Sequence, residues 1–272
     1  MSKKQSDKLI RCLSAGFLPS VKQWFTIIRT LHVRIALECV RICKELNCSC
    51  LKPAIERQHQ RLFQEVMQKI PEMPPNIINT LMAVKPFYLG ICLNNGLDPN
   101  FPMSNKQTPL EYACRNSRLL HIHVLLSNAS TVVSSNICCY MFRQIKLRRF
   151  ACKAVQMCND ITPNMIIETL VANTSAALIC VMEKLENKYR GNPIWTELCF
   201  TLRCPISLEY SSDLVRTPSG HFFDRECLMI WVRAHANNPM TREKIHTSDL
   251  LERKSFLREF VSKLQQKIQL MN

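Results

Sequence analysis

Fifteen cysteines and seven histidines in a chain of 272 residues put metal binding and thiol chemistry first among the reactions this sequence could support. From Cys199 onward the candidate metal ligands are Cys199, Cys204, His221, Cys227, His235 and His246. Two closed tetrahedral zinc sites need eight ligands, usually opening on a Cys-x-x-Cys pair. The residue three past Cys204 is Ser207, so six ligands without the opening pair cannot build them. A second group, Cys39, Cys43, Cys48 and Cys50, has the number for one zinc. Cys39 and Cys43 are one helical turn apart in an apolar stretch, however, which reads as core thiols. Neither a metal nor a cofactor is expected. Cys227 stands near the start of a helix, where a thiol pKa can be lowered. With no histidine motif beside it, it reads as structural and not as a nucleophile.

The cysteine number is odd and the spacing irregular, which fits a reducing compartment better than a disulfide framework. Met1 to Asp7 is polar and no signal-like apolar run follows, so the expectation is a cytoplasmic protein, or one acting in a host cytosol if its source is a pathogen. Leu119 to Phe142 carries no formal charge but contains His121, His123, Asn128, Ser134, Ser135 and Asn136, which rules out a spanning helix; no membrane partner is expected. The net charge is +15. Residues from Leu198 onward hold 11 Lys or Arg against 8 Asp or Glu, so +12 lies upstream. Those bases are scattered and not interleaved with aromatics, and no nucleic-acid-binding signature accompanies them, so nucleic acid is not an expected partner.

The elements that would position C-terminal chemistry can be read from turn residues and periodicity. Leu214 to Thr217 predicts a strand, Pro218 to His221 a turn, and Phe222 with Phe223 the return strand. Asp224 predicts the cap of a helix running to about Ala236, with Leu228, Trp231 and Val232 on one face. A second loop holds Asn238 to Arg242, and Leu257, Val261, Leu264 and Ile268 predict a final amphipathic helix.

The string Cys204-Pro205-Ile206-Ser207-Leu208-Glu209, then Thr217 to Arg225, Trp231-Val232, Asn238-Pro239-Met240-Thr241-Arg242 and Leu250 resembles a U-box, the zinc-free relative of the RING finger. The resemblance covers about residues 198–270. It departs at Leu214 and at Glu252, where the family commonly has proline. It implies a ubiquitin-protein ligase working without a covalent intermediate. Its partners would be a ubiquitin-conjugating enzyme, ubiquitin and a protein substrate. By position, Ile206 and Leu208 from the first loop, Pro239 from the second and Trp231 from the helix would line the groove for the conjugating enzyme. Arg242 would reach both that enzyme and its ubiquitin, its fork of donors suiting a bridge between two carbonyls. The resemblance further implies loops pinned by Glu209, Asp213, Ser219, Asp224, Arg225 and Thr241 instead of zinc. The rival reading keeps the fold but not the activity: a non-enzymatic adaptor. A homodimer is left open.

Upstream, residues 1–20 read as a tail and 21–190 as a helical region. Val21 to about Lys69 reads as a pair of helices, and Pro71, Pro74 and Pro75 as a connector. Thr108-Pro109-Leu110-Glu111-Tyr112-Ala113 and the helix beginning near Leu119 resemble an ankyrin repeat, with Glu111 for the usual His and Ser117 for the usual Gly. Leu93 to Asn100 looks like the end of a preceding repeat. A single repeat cannot bury its apolar face, so 21–78 and 135–188 would complete a stack. Phe150, Val155, Ile166, Ile167, Leu170, Leu178, Val181 and Leu185 would then be among the buried positions. The resemblance implies a substrate-binding surface; a plain helical bundle that only holds the C-terminal module is the alternative. Lys188 to Pro193 predicts the boundary, with the U-box at 198–272. The expected fold is therefore mainly α, an ankyrin-like helical region followed by a small α+β U-box.

Overall fold

The computed structural model describes residues 3–271. The chain is mainly helical, with one small antiparallel sheet, and divides into two compact units that meet at Thr131 and Val132.

The first unit holds nine helices among its described residues: α1 (Lys3–Ser14), α2 (Val21–Thr30), α3 (Val33–Ile42), α4 (Leu51–Glu56), α5 (Gln60–Met67), α6 (Ile78–Leu81), α7 (Pro86–Asn94), α8 (Pro109–Arg115) and α9 (Leu119–Ser127). Residues 3–14, expected as tail, form a helix because Ser6, Leu9, Ile10 and Leu13 make a narrow inward stripe on an otherwise polar surface; Ser6 and Leu13 are buried, and α1 packs on α3. The expected pair of helices over 21–69 is four. Each extra start has a local cause. The His32 and His59 rings accept from the Arg34 and Leu62 backbone N–H groups, and Ser20 forms a capping box with Gln23. Cys39, Cys43 and Cys50 are buried in this core, where desolvation raises all three thiol pKa values, those of Cys39 and Cys50 to about 11.

In α8 the Thr108 side chain accepts from the Glu111 N–H at 3.2 Å, and Glu111 returns the bond to the Thr108 N–H at 2.9 Å. The glutamate that replaces the histidine of the ankyrin pattern thus completes a capping box. Ser117 takes the left-handed conformation (φ 51°) between α8 and α9, the backbone state that favours glycine. Contacts recur at a near-constant step: Arg41 to Glu65 across 24 residues and Asn79 to Ser104 across 25. In the second unit, Ser135 to Asp160 and Arg143 to Glu168 also span 25. Successive helix pairs are therefore stacked, which is compatible with a repeat, although the step is shorter than the roughly 33 residues of an ankyrin unit.

The second unit begins with α10 (Ser135–Arg143), α11 (Ala151–Met157), α12 (Asn164–Ala172), α13 (Ser175–Tyr189) and α14 (Pro193–Leu202). Of the positions expected to be buried, Val155, Ile166, Ile167, Leu170, Leu178, Val181 and Leu185 are, while Phe150 is half-buried with Arg149 over its ring. The chain does break at Gly191 (φ 85°), and Asn192 caps α14. The division between compact units falls earlier, between Thr131 and Val132. Trp195 is buried, stacks on Tyr189 and donates from Nε1 to Glu186 at 2.8 Å, tying α14 back to α13.

Strand β1 (Leu214–Arg216) pairs antiparallel with β2 (Phe222–Asp224), Val215 opposite Phe223. Helix α15 (Arg225–His235) follows, and α16 (Arg253–Gln269) closes the chain. The buried stripe of α16 is Phe256, Phe260, Leu264 and Ile268, so the expected stripe is displaced at its start, where Leu257 and Val261 are only half-buried. The two phenylalanines win the inward positions by packing on Phe222, with ring centroids 5.3 and 4.7 Å away. Helix α16 also packs against α12 and α14. The Arg253 guanidinium donates to the Leu170 and Val171 carbonyls at the end of α12, and Lys267 pairs with Glu197 at 2.9 Å. Ser212 bonds Ser175 and Asn173.

Candidate functional site: two matched loops on one core

Cys204, Val215, Phe223, Leu228, Val232, Ile245 and Leu250 form a small core, with Ile206, Cys227 and Met229 packed against it. Two loops hang from this core and close in the same way. In the first, the Cys204 N–H donates to the Glu209 carbonyl (2.8 Å) and the Leu208 N–H to the Cys204 carbonyl (2.8 Å). In the second, the Asn238 N–H donates to the Glu243 carbonyl (2.8 Å) and the Arg242 N–H to the Asn238 carbonyl (2.9 Å). The hydroxyls match too: Ser207 accepts from the Glu209 N–H and Thr241 from the Glu243 N–H, both at 3.4 Å. Cys-Pro-Ile-Ser-Leu-Glu and Asn-Pro-Met-Thr-Arg-Glu are thus one loop used twice, 34 residues apart. The x-Pro-apolar-Ser/Thr-x-Glu doubling is legible in the sequence itself, at 204–209 and 238–243.

The matching assigns roles by position. Leu208 and Arg242 occupy equivalent places, both left-handed (φ 61° and 66°) and both exposed, Leu208 to 70%. A non-glycine residue in this region costs on the order of 1 kcal/mol, so the loops hold these side chains outward at a cost. The counterpart of Ile206 is Met240, which is 55% exposed and was not singled out from sequence. Ile206 is half-buried, one side on the core and the other free; Pro239 is also half-buried. Trp231 is half-buried, its Nε1 donating to Asn237 at 3.1 Å and its ring stacked on His235 at 4.2 Å. Ile230 on the same helix is exposed. The Arg242 guanidinium has no ion pair or hydrogen bond among the described residues and is free to meet a partner.

Polar contacts hold the frame rigid. Asn238 is fully buried: its Nδ2 donates to Ser219 Oγ at 2.7 Å, and its Oδ1 accepts from the Met240 N–H at 2.9 Å and the Thr241 N–H at 3.4 Å. Ser219 in turn bonds Thr217 (3.0 Å) and the His221 ring (3.2 Å), so the second loop is tied to the β-turn. Asp224 caps α15 through the Cys227 N–H and accepts from Ser211 Oγ at 2.7 Å. Arg225 donates to Asp213 at 3.3 Å and meets Glu252 with two bonds, 2.8 and 2.5 Å. Glu252, noted only as a departure from the expected proline, therefore supplies an ion pair between the start of α15 and the start of α16. Thr241 bonds Glu243, and Glu209 takes part through its backbone. Among the described residues, no group of three His, Cys, Asp or Glu is placed to hold a metal. Cys227 departs from the lowered pKa expected at a helix start: burial, followed by the Asp224 charge and its hydrogen bond to the thiol, pushes it up.

The site is thus two loops of one pattern on a shared core, with their frame pinned by hydrogen bonds and ion pairs. Residues 199–267 match the model of the family described as U-box domain, and the C-terminal part of this chain is a U-box domain. A curated relative, U-box domain-containing protein 12 of Arabidopsis thaliana, is 39% identical over 61 residues, covering 22% of this chain and 9% of that protein. The chain thus aligns with less than a tenth of that relative, and the likeness concerns the U-box alone. No solved structure matches the chain.

Proposed function

We propose that this protein is a ubiquitin-protein ligase whose U-box binds a ubiquitin-charged conjugating enzyme and speeds transfer of ubiquitin to a substrate lysine. The observation that carries the reading is the pair of matched loops, which present Ile206, Leu208, Pro239 and Met240 at the surface with Trp231 beside them. Interfaces of this kind place an apolar centre inside a polar rim. Arg242, exposed and unpaired, contacts the conjugating enzyme and the ubiquitin tail together, holding the thioester near its attack geometry. The substrate amine then attacks the thioester carbonyl and the conjugating enzyme's thiolate leaves; no bond forms to the ligase. The helical region ahead of the U-box recruits the substrate.

The test is reconstitution with ubiquitin, activating enzyme and a panel of conjugating enzymes, followed by single-turnover discharge of preloaded conjugating enzyme to free lysine. Chain formation that disappears in Ile206→Ala is the expected result. Binding without accelerated discharge across the panel would assign the protein to the adaptor class instead.

A further inference from the structure

A run of unpaired positive charge lies far from the U-box in sequence. The first 37 residues contain seven Lys or Arg and a single acid, Asp7. Lys8, Arg11, Lys22, Arg29 and Arg34 are exposed, and none forms an ion pair among the described residues. Between α1 and α2 the chain also exposes apolar side chains: Phe17 (48%), Leu18 (82%) and Val21 (47%). They are three of the five large apolar residues exposed among the described residues of the first unit, gathered within five positions.

This presentation is built by two helix caps. At the end of α1 the Phe17 N–H donates to the Cys12 carbonyl and the Gly16 N–H to the Leu13 carbonyl, both at 3.0 Å. This paired pattern requires a left-handed residue, supplied by Gly16 at φ 90°. Ser20 and Gln23 cap α2 reciprocally. The loop between is short and fixed at both ends, and it turns Phe17 and Leu18 outward. Beside it, Leu9, Phe17, Pro19, Ile27 and Leu31 line a shallow apolar hollow of about 330 Å³ with Lys22 at its edge.

We infer that this segment docks on an anionic lipid surface, with Phe17, Leu18 and Val21 entering the headgroup boundary, and with Lys22 at the edge of the hollow and the other exposed bases of α1 to α3 meeting lipid phosphates and carboxylates. Charge complementarity selects the partner's sign, and the aliphatic pair selects its kind. Leu18 and Val21 have neither a ring to stack on a base nor a donor for a phosphate, whereas each gains on entering hydrocarbon. Several bases near a membrane surface add in effect and lose it as salt rises. The expectation of no membrane partner rested on the lack of a spanning run, and surface docking needs none. The inference is independent of the U-box reading.

The experiment is flotation of the full chain with vesicles of phosphatidylcholine alone, or of phosphatidylcholine with phosphatidylserine, at low and high salt. Binding to the second vesicle only, weakened by salt, is expected. Leu18→Asp should abolish it, and Lys8→Ala and Lys22→Ala should each weaken it about fivefold. All three positions are exposed, so circular dichroism melts should match the parent. Absence of binding to phosphatidylserine vesicles, or binding indifferent to Leu18→Asp, overturns the inference. So does salt-sensitive binding to a single-stranded RNA oligonucleotide that these variants lose while vesicles stay unbound.

Discussion

Removing the Asn238 side chain should unpin the second U-box loop, because that side chain is fully buried and makes three hydrogen bonds. A typical hydrogen bond contributes about 1 kcal/mol net, and the Met240 and Thr241 N–H groups would lose the acceptor that this fully buried side chain gives them. Ser219 itself is exposed and keeps its bonds to Thr217 and His221. Asn238→Ala should therefore destabilise the second unit by about 2–3 kcal/mol, a fall of roughly 5–10 °C in Tm. Ser219→Ala, which removes only the acceptor, should cost about 1 kcal/mol, and the double variant should show a coupling of about the same size. If the unpinned loop must be reordered when the conjugating enzyme binds, affinity should drop about tenfold, since about 1.4 kcal/mol is one decade. Thermal melts of the four proteins and titration calorimetry with a conjugating enzyme measure both quantities. A coupling indistinguishable from zero, together with unchanged affinity, would refute the pinning argument.

Four further outcomes follow from the same geometry. Met240→Asp should block conjugating-enzyme binding about as strongly as Ile206→Asp, since the two occupy equivalent loop positions; a Met240 variant that binds normally in pull-down would break the equivalence. Arg242→Ala should leave binding within about threefold yet slow single-turnover discharge by tenfold or more, because its guanidinium supports no loop contact; equal losses in both assays would count against the bridging role. Arg253→Ala should cost about 1.5–3 kcal/mol by removing charged hydrogen bonds to the Leu170 and Val171 carbonyls, and hydrogen exchange at the end of α12 should rise; unchanged protection there would dismiss the tether. His121 is buried with Nε2 unpartnered, and desolvation lowers its pKa below 6.5, against partial opposition from backbone groups at Leu81 and Val84. The fold therefore favours the neutral ring, so stability should be full above about pH 6.5 and fall as the pH drops below it. His121→Leu should flatten that slope, and an identical slope in the variant would point to another group.

The parts of this molecule that could be read from sequence are those fixed locally. The β-hairpin, the Asp224 cap and the second loop depend on turn residues and caps whose partners lie within a few positions, so spacing places them, whereas the first loop is placed by the resemblance to the U-box. The frame was less legible because its contacts are long-range. Glu252 meets Arg225 across 27 residues, and Arg253 reaches Leu170 across 83. Helical periodicity gave α16 its place but not the start of its buried face, since Phe256 and Phe260 are selected by Phe222 on a strand. The N-terminal helix was hidden because polar residues outnumber its one apolar stripe. Met240 could have been found from sequence by aligning the two loops with each other, an internal comparison of six residues.

The grip of Arg253 on α12, together with the packing of α14 on α16, means that the seam visible at Gly191 is not a place where this protein can be cut. A protease nicking there would leave the two pieces joined through the packing of α16 on α12 and of Trp195 on Tyr189. A truncated transcript or gene fusion that kept only residues 198–272 would lose Trp195 and the helices that shelter α16, leaving Phe256, Phe260 and Leu264 without part of their cover. The inheritable piece is the longer one that starts near Val132, and any transplant of this U-box into another protein would have to carry its helical escort along.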